Sequence, residues 1–461
     1  MRLRQHIAAA LVVAAAAVAG CDNVLDTEPY DRVSAEEAVT DLATAQAALN
    51  GAYGALASGS YYGLDLQLLG DLPSDNGRWA GTFQFLNEIV NNRIVADNAE
   101  VTAMWTAIYR QVDRDNVVIQ QVPQIASIPE ATRNQIVGEA HLLRALAFHN
   151  LVKFWGAVPT PTTPVTVAAD AAAYTRTPVA GVYTQILADL DRAAQLIPAN
   201  ATNTRRATRT AATALRARVL FYRASVAGNA NPNADYQGAL DAANTVLTAM
   251  RDTLTVPYAD LFSATGANTS EDIFRVAFTA AQSNSLGFYW LWVGRHEAEP
   301  SANLNAAYEA GDLRKPVTVQ PRPNSTTRLQ GTKYPTTAGT EHPHVIRLAE
   351  LVLIKAEALA RLGRLEEAVA EYNKVRVRAG LRRHALGTDV RTQGDVIAAI
   401  TRERRLELAL EGDRWPDLVR QGLAVSVKGL TDRPYQALFP IPLRETRTSP
   451  GLTQNPGYAN P

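Results

Sequence analysis

The sequence predicts a mostly α fold, a stack of about four antiparallel helix pairs interrupted by a loop-rich segment with a few short strands. Three observations predict it. Apolar residues recur at helical spacing over long stretches, strand-like alternation is confined to two short runs, and a small-residue and aromatic spacing recurs where consecutive helices meet. With 461 residues, 47% of them hydrophobic, the chain has the apolar surface for a substantial core.

The first element is a targeting segment. Arg2 and Arg4 supply its charge, Ile7 to Ala19 form its apolar run, and "VAGC" ends it at Cys21, the only cysteine in the chain. The run is too short to span a bilayer, and the order valine, alanine, glycine, cysteine resembles the bacterial lipoprotein box, in which the thiol is lipidated. Residues 1–20 are therefore expected to be a signal peptide and 21–35 a lipidated linker tethering the body to a membrane. Several acyl chains at about 0.8 kcal/mol per buried methylene anchor stably where one chain does not. A lone thiol makes no internal disulfide, so cysteine usage neither requires nor excludes an oxidising compartment.

Residues 36–251 read as a helical scaffold. Ser34, three residues before Glu37, suits a capping box for a helix running to about Gly59. Further helical patterns occupy roughly 101–122, 131–156, 179–197, 205–228, 236–251, 345–362, 365–379 and 394–411. In "LVLIKAEALARLGRLEEAVAEYNKVRVRAG" one helix bears Leu351, Ala356 and Leu359, Gly363 breaks it, and a second bears Ala368, Tyr372 and Val375. A glycine, an alanine five later and an aromatic four after that is the spacing of a tetratricopeptide helix pair, the small residues admitting close approach and the ring filling the groove. "VYTQILADLDRAAQLIP" reads as the second helix of another unit, and "TAATALRARVLFYRASVAG" pairs with "DYQGALDAANTVLTAM".

Between 252 and 344 the texture changes to proline, glycine, asparagine, threonine and aromatics, with "SEDIFRVAFTA" and "GFYWLWVG" as the strand candidates. A segment this long is no idle connector, and insertions on helical-repeat scaffolds carry binding surfaces, so 252–344 is expected to hold the ligand. Residues 345–461 close the chain with another helix pair and a tail.

Lys plus Arg equals Asp plus Glu at 45 each, without long single-sign runs, which argues against nucleic acid as a partner. Catalytic signatures are missing: there is no G-x-S-x-G, no G-x-x-x-x-G-K and no S-x-x-K, and Pro300 stands where "HEAEP" would need a second histidine to bind zinc. His342 and His344 lack a third clustered ligand, so neither metal nor cofactor is expected. Paired carboxylates are too common here to indicate a glycosidase by themselves. In "TRERRLELALEGDRW", Glu403, Arg404, Arg405 and Glu407 suit intrahelical ion pairs, and Gly412 suits a helix cap.

The aromatic residues say more. Trp105, Trp155 and Trp415 lie on apolar helical patterns and read as packing. Trp79, in the loop "SDNGRWAG", stands beside Asp75, Asn76 and Arg78, a flat ring with hydrogen-bonding groups around it. A sugar has an apolar face and a rim of hydroxyls, and this set matches both; it also describes an ordinary turn with a half-buried tryptophan. In "FYWLWV", an extended backbone would place Phe288, Trp290 and Trp292 on one face and Tyr289 on the other.

Several ordered stretches resemble one family, the SusD/RagB nutrient-binding lipoproteins. They are "CDNVLDTEPYDRVS", "AALNGAYGAL", "GEAHLLRALAFHNLVKFWGAVPT", "LAELVLIKAEALARLG", "ERRLELALEGDRWPDLVRQG" and "LFPIPLRETRTSPGLTQNPGY". The resemblance implies an outer-membrane lipoprotein facing the cell exterior that binds a glycan or other nutrient without catalysis. It also implies delivery to a SusC-like TonB-dependent transporter, with Asp22, Asp26 and Glu28 after Cys21 resembling surface-export signals. The departures are Pro416 where an aromatic is common and Gln421 where tryptophan is frequent. Trp79 and the 288–292 run are carried over by approximate position. Two other readings stay open: a tetratricopeptide scaffold that binds protein in its concave groove, and a surface glycosidase.

Overall fold

The computed structural model describes residues 39–166, 168–251 and 253–459, so Cys21, the linker and the Ser34 to Glu37 capping box lie outside the described residues. The first described helix, α1 (Leu42–Leu56), starts at Asp41. That carboxylate accepts the Thr44 N–H at 2.8 Å while Thr44 Oγ1 accepts the Asp41 N–H at 3.0 Å, a reciprocal cap of the kind that contributes about 1 kcal/mol.

The scaffold continues with α2 (Ala99–Gln121), α3 (Glu130–Trp155), α4 (Val179–Leu196), α5 (Arg209–Arg223), α6 (Pro232–Ala249), α7 (Leu348–Arg361), α8 (Leu365–Arg378) and α9 (Gln393–Glu407). Consecutive helices pack in order, α1 on α2, α3 on α4, α5 on α6 and α7 on α8, with α2–α3, α4–α5 and α6–α7 joining the pairs. The fold is thus mostly α and built from four tetratricopeptide-like pairs. Gly363 turns the last pair at φ +81°, and Ala368, Tyr372 and Val375 are fully buried at the spacing read from the sequence.

α3 is the central pillar. Its 26 residues span about 39 Å, and apolar residues cover it all round, so it shows no single polar face. Its buried polar groups tie neighbouring pairs together. Glu139 accepts the Tyr53 hydroxyl of α1 at 2.7 Å and Arg206 Nε at 2.8 Å, while Arg144 and His141 hold Asp189 of α4 at 2.5 and 2.8 Å. A Cβ on Gly138 would lie 2.9 Å from Leu196, so a glycine there lets α3 meet the end of α4. Trp105, Trp155 and Trp415 are core residues as read, with Trp105 and Trp155 packed edge to face at 5.3 Å.

α9 corrects one expectation. Its charges pair with distant elements instead of along the helix. Glu403 takes Arg314 at 2.9 Å and Arg376 of α8 at 2.6 Å; Glu407 takes Arg347 and Arg378, both at 2.5 Å. Arg404 pairs with Asp413 at 2.5 Å and Arg405 with Asp75 at 3.2 Å. The reason is burial: the faces bearing Glu403, Arg404 and Glu407 are covered by other elements, so their charges must be met there. Gly412 does not cap α9, which ends at Glu407. At φ +82° it packs on Gly70, and its N–H donates to Asp71 Oδ2 at 2.7 Å.

Among the described residues the strands form three two-stranded antiparallel ladders: β1 (Gly77–Trp79) with β3 (Ala298–Pro300), β2 (Asp272–Arg275) with β6 (His344–Arg347), and β4 (Val319–Pro321) with β5 (Leu329–Gly331). The β2 run matches "SEDIFRVAFTA". "GFYWLWV" does not form the expected strand: Leu286–Trp290 is a helical turn, started where Asn284 Oδ1 accepts the Leu286 N–H at 3.0 Å. Gly287 rests against the Thr336 carbonyl, which a Cβ would overlap.

Candidate ligand-binding surface

The β1–β3 ladder brings the two aromatic candidates together. Its register sets Arg78 opposite Glu299 and Trp79 opposite Ala298. β3 in turn packs on the 286–290 turn and on β5. Segments about 200 residues apart in sequence therefore share one surface.

The structure sorts the predicted residues into surface and support. Asp75 accepts Arg414 Nε at 2.8 Å and pairs with Arg405, and its carbonyl accepts the Ser301 hydroxyl at 2.6 Å. Asn76 is fully buried, donating to Asp71 Oδ1 and accepting from Arg405 Nε, both at 2.8 Å. Both support the turn from within. Trp290 is fully buried in the core, because the helical turn rotates it away from Phe288 and Trp292. Trp79 lies in a short strand, its ring half-buried against the core.

What reaches the surface is a set of rings and guanidinium groups. Phe288 is 42% exposed and Trp292 38% exposed, with Tyr289 half-buried between them. Phe83 stacks on Phe85 at 4.9 Å, and the Arg295 guanidinium lies 3.9 Å from the Phe83 ring; Arg322 stands 5.7 Å from Trp292. Burial, followed by the nearby Glu100, Asp65 and Glu297 carboxylates, pushes the Tyr289 phenol up to about 12, so it stays a hydrogen-bond donor at neutral pH.

Two buried carboxylates hold these groups. Glu299 is inaccessible to solvent; it pairs with Arg78, and Arg328 Nε donates to both its oxygens at 3.1 Å. Glu297 accepts the Thr82 and Phe83 N–H groups at 2.8 and 3.0 Å and pairs with Arg295 at 3.0 Å. Gly81 makes room for it, since a Cβ there would overlap the carboxylate. The Phe288 carbonyl accepts the Arg295 N–H at 2.8 Å, closing the 288–295 loop on itself. The rings and guanidinium groups are thus held in place by the protein's own contacts.

Sequence reasoning missed Phe83, Arg295, Arg322, Arg328, Glu297 and Glu299. A signal was present in "TFQFL", with two rings just after Trp79, and in "HEAEP", where alternation places Glu297 and Glu299 on one face of an extended segment. His342 and His344 do not share a site: His344 Nε2 meets Asp272 Oδ1 at 2.8 Å, and His342 Nδ1 accepts the Phe278 N–H at 3.1 Å. Burial, with Arg205 and Arg275 nearby, pulls His342 down to about 4. Among the described residues no group of three or more His, Cys, Asp or Glu side chains could hold a metal ion, and no helix is long and apolar enough to cross a membrane.

The construction is a helical-repeat scaffold on which short ladders and loops build a surface of exposed rings and guanidinium groups. Comparison with known proteins makes it particular. A family model described as "Starch-binding associating with outer membrane" matches residues 24–221, and one described as "SusD family" matches 297–429. SusD-like proteins P2 and P38 of Formosa agariphila are 28% and 25% identical, covering 95% of this chain and 97% and 96% of their own lengths. A SusD superfamily protein from Bacteroides vulgatus shares the fold at a TM-score of 0.78 and 21% identity, covering 91% of this chain and 99% of its own. So does surface glycan-binding protein A from Bacteroides fluxus, at 0.77 and 23%, covering 91% and 100%. The chain belongs to the SusD/RagB family.

Proposed function

We propose that this protein captures a glycan on the surface formed by Phe288, Tyr289, Trp292, Phe83, Arg78, Arg295 and Arg328, and that it does so without cleaving it. The observation that carries the reading is the β1–β3 ladder, which gathers rings and pre-positioned guanidinium groups from two distant segments. Rings pack on the C–H faces of a sugar while guanidinium donors meet its hydroxyls. Two of the carboxylates beside these groups are engaged: Glu297 and Glu299 are buried and already hold N–H and guanidinium donors, which leaves them ill placed as general acid or nucleophile. A solved relative titled a laminarin-binding SusD-like protein shares the fold at a TM-score of 0.76 and 24% identity, and covers 91% of this chain.

The wider reading follows the family. SusD proteins associate with the outer membrane, and we assign this one to its outer face, lipid-anchored through Cys21, with 252–344 as its ligand-binding region. The captured saccharide then passes to a SusC-like TonB-dependent transporter. Replacing Phe288 and Trp292 together by alanine tests the site: both side chains are partly exposed, so the fold should survive, and retention in polysaccharide-containing native gels should be lost. Retention equal to wild type would remove the site assignment, and release of reducing ends by the purified protein would indicate an enzyme instead.

A further inference from the structure

A concave site that shares no residue with that surface lies between α2, residues of 159–165 and 169–174, and the helix Leu443–Thr448. It is a cleft of about 760 Å³, within the roughly 300–1,000 Å³ of small-molecule pockets. Trp105, Tyr109 and Tyr174 supply rings, and Pro159, Pro161 and Leu452 complete an apolar lining. The walls are fixed. Tyr109 Oη donates to the Pro159 carbonyl at 2.8 Å, Asn116 Nδ2 donates to the Pro161 and Thr163 carbonyls at 3.2 and 2.9 Å, and the Leu443 N–H donates to the Ala96 carbonyl at 2.8 Å.

The polar lining is unevenly satisfied. Asp113 accepts the Val165 N–H at 2.9 Å, and the Asn116 amide oxygen accepts Arg144 at 2.8 Å. Burial pushes the Glu445 carboxyl up, against the opposing pull of Arg444 and a hydrogen bond from Trp105. Arg110 and Arg444 also line the cleft, both exposed; Arg444 acts on the neighbouring Glu445 carboxyl, and neither guanidinium is held by a hydrogen bond among the described residues. In a molecule whose arginines are so often locked on carboxylates by hydrogen bonds, two guanidinium groups not held in that way beside a set of rings suit an anion carried on a ring.

We infer that this cleft binds a small ring compound bearing one carboxylate, with the ring among Trp105, Tyr109 and Tyr174 and the carboxylate on Arg110 and Arg444. Such a group arises from an acidic sugar or from an aromatic acid. Calorimetric titration of the mature protein with methyl glucuronide and with 4-hydroxycinnamate separates the two sources. At least one should bind, and its uncharged counterpart, methyl glucoside or 4-hydroxycinnamyl alcohol, should bind at least tenfold more weakly. Arg110→Ala/Arg444→Ala, at two exposed positions, should weaken binding at least tenfold. Ala172→Trp should block it by filling the cleft, while Phe288→Ala/Trp292→Ala should leave it unchanged. The inference is overturned if neither acid binds, if the arginine variant binds as wild type does, or if the Phe288/Trp292 variant abolishes binding.

Discussion

Glu299 offers a test of pre-positioning that separates recognition from folding. Its carboxylate is buried, while the Arg78 and Arg328 side chains it holds are 47% and 35% exposed. Glu299→Gln keeps the shape and removes the charge that fixes both forks. Each long side chain that a ligand must then order costs about 0.5–1.5 kcal/mol, so two cost about 1–3 kcal/mol, or roughly 5- to 150-fold in Kd. The melting temperature should move little, because ion pairs to half-exposed arginines are screened by solvent and contribute weakly to stability. Isothermal titration with a saccharide retained by the wild type, alongside a thermal melt, measures both. A folded variant whose Kd stays within about twofold of wild type would refute the argument that these guanidinium groups are held for the ligand.

Other outcomes follow from the scaffold and anchor. Glu407→Gln leaves Arg314, Arg347 and Arg378 short of a buried counter-charge and should destabilise by about 3 kcal/mol in denaturant unfolding. Burial alone would raise the Glu407 and Glu411 carboxyls, but the facing Arg378, Arg347 and Arg314 at Glu407, and Arg347 with Lys333 at Glu411, overcome it and hold both below the ordinary 4.5, Glu411 at about 2. A lowered folded pKa means stability that is present above pH 4.5 and lost progressively on acidification toward the folded pKa, so the gap between wild type and Glu407→Gln should begin to narrow below about pH 4.5 and go on narrowing down to pH 2. Gly287→Ala drives a Cβ into the Thr336 carbonyl and should lower both melting temperature and glycan retention by displacing the turn that carries Phe288. Cys21→Ala should move the protein from the membrane fraction to the soluble one without changing its circular dichroism.

The helix pairs were legible because their signal is local. Gly363, Ala368 and Tyr372 lie within ten residues, and one pair's packing rules determine all three. The site was half legible for the opposite reason. Asp75 and Asn76 have the composition of a sugar-binding fork, yet their partners Arg405 and Arg414 lie more than 300 residues away, and those contacts turn both side chains inward. "FYWLWV" alternates like a strand, but Asn284 and the space beside Thr336 wind it into a turn, which buries Trp290 while exposing Phe288 and Trp292. Charges on α9 were read as neighbours along one helix because spacing shows nothing of Arg314, Arg347, Arg376 or Arg378.

The most direct test of the central claim is a crystal structure of the protein with an oligosaccharide fragment of whichever polysaccharide it retains. The account predicts a sugar ring in van der Waals contact with Phe288 or Trp292 and hydroxyls within hydrogen-bond reach of Arg78, Arg295 or Arg328. A saccharide bound elsewhere on the scaffold, with those rings left bare, would contradict it.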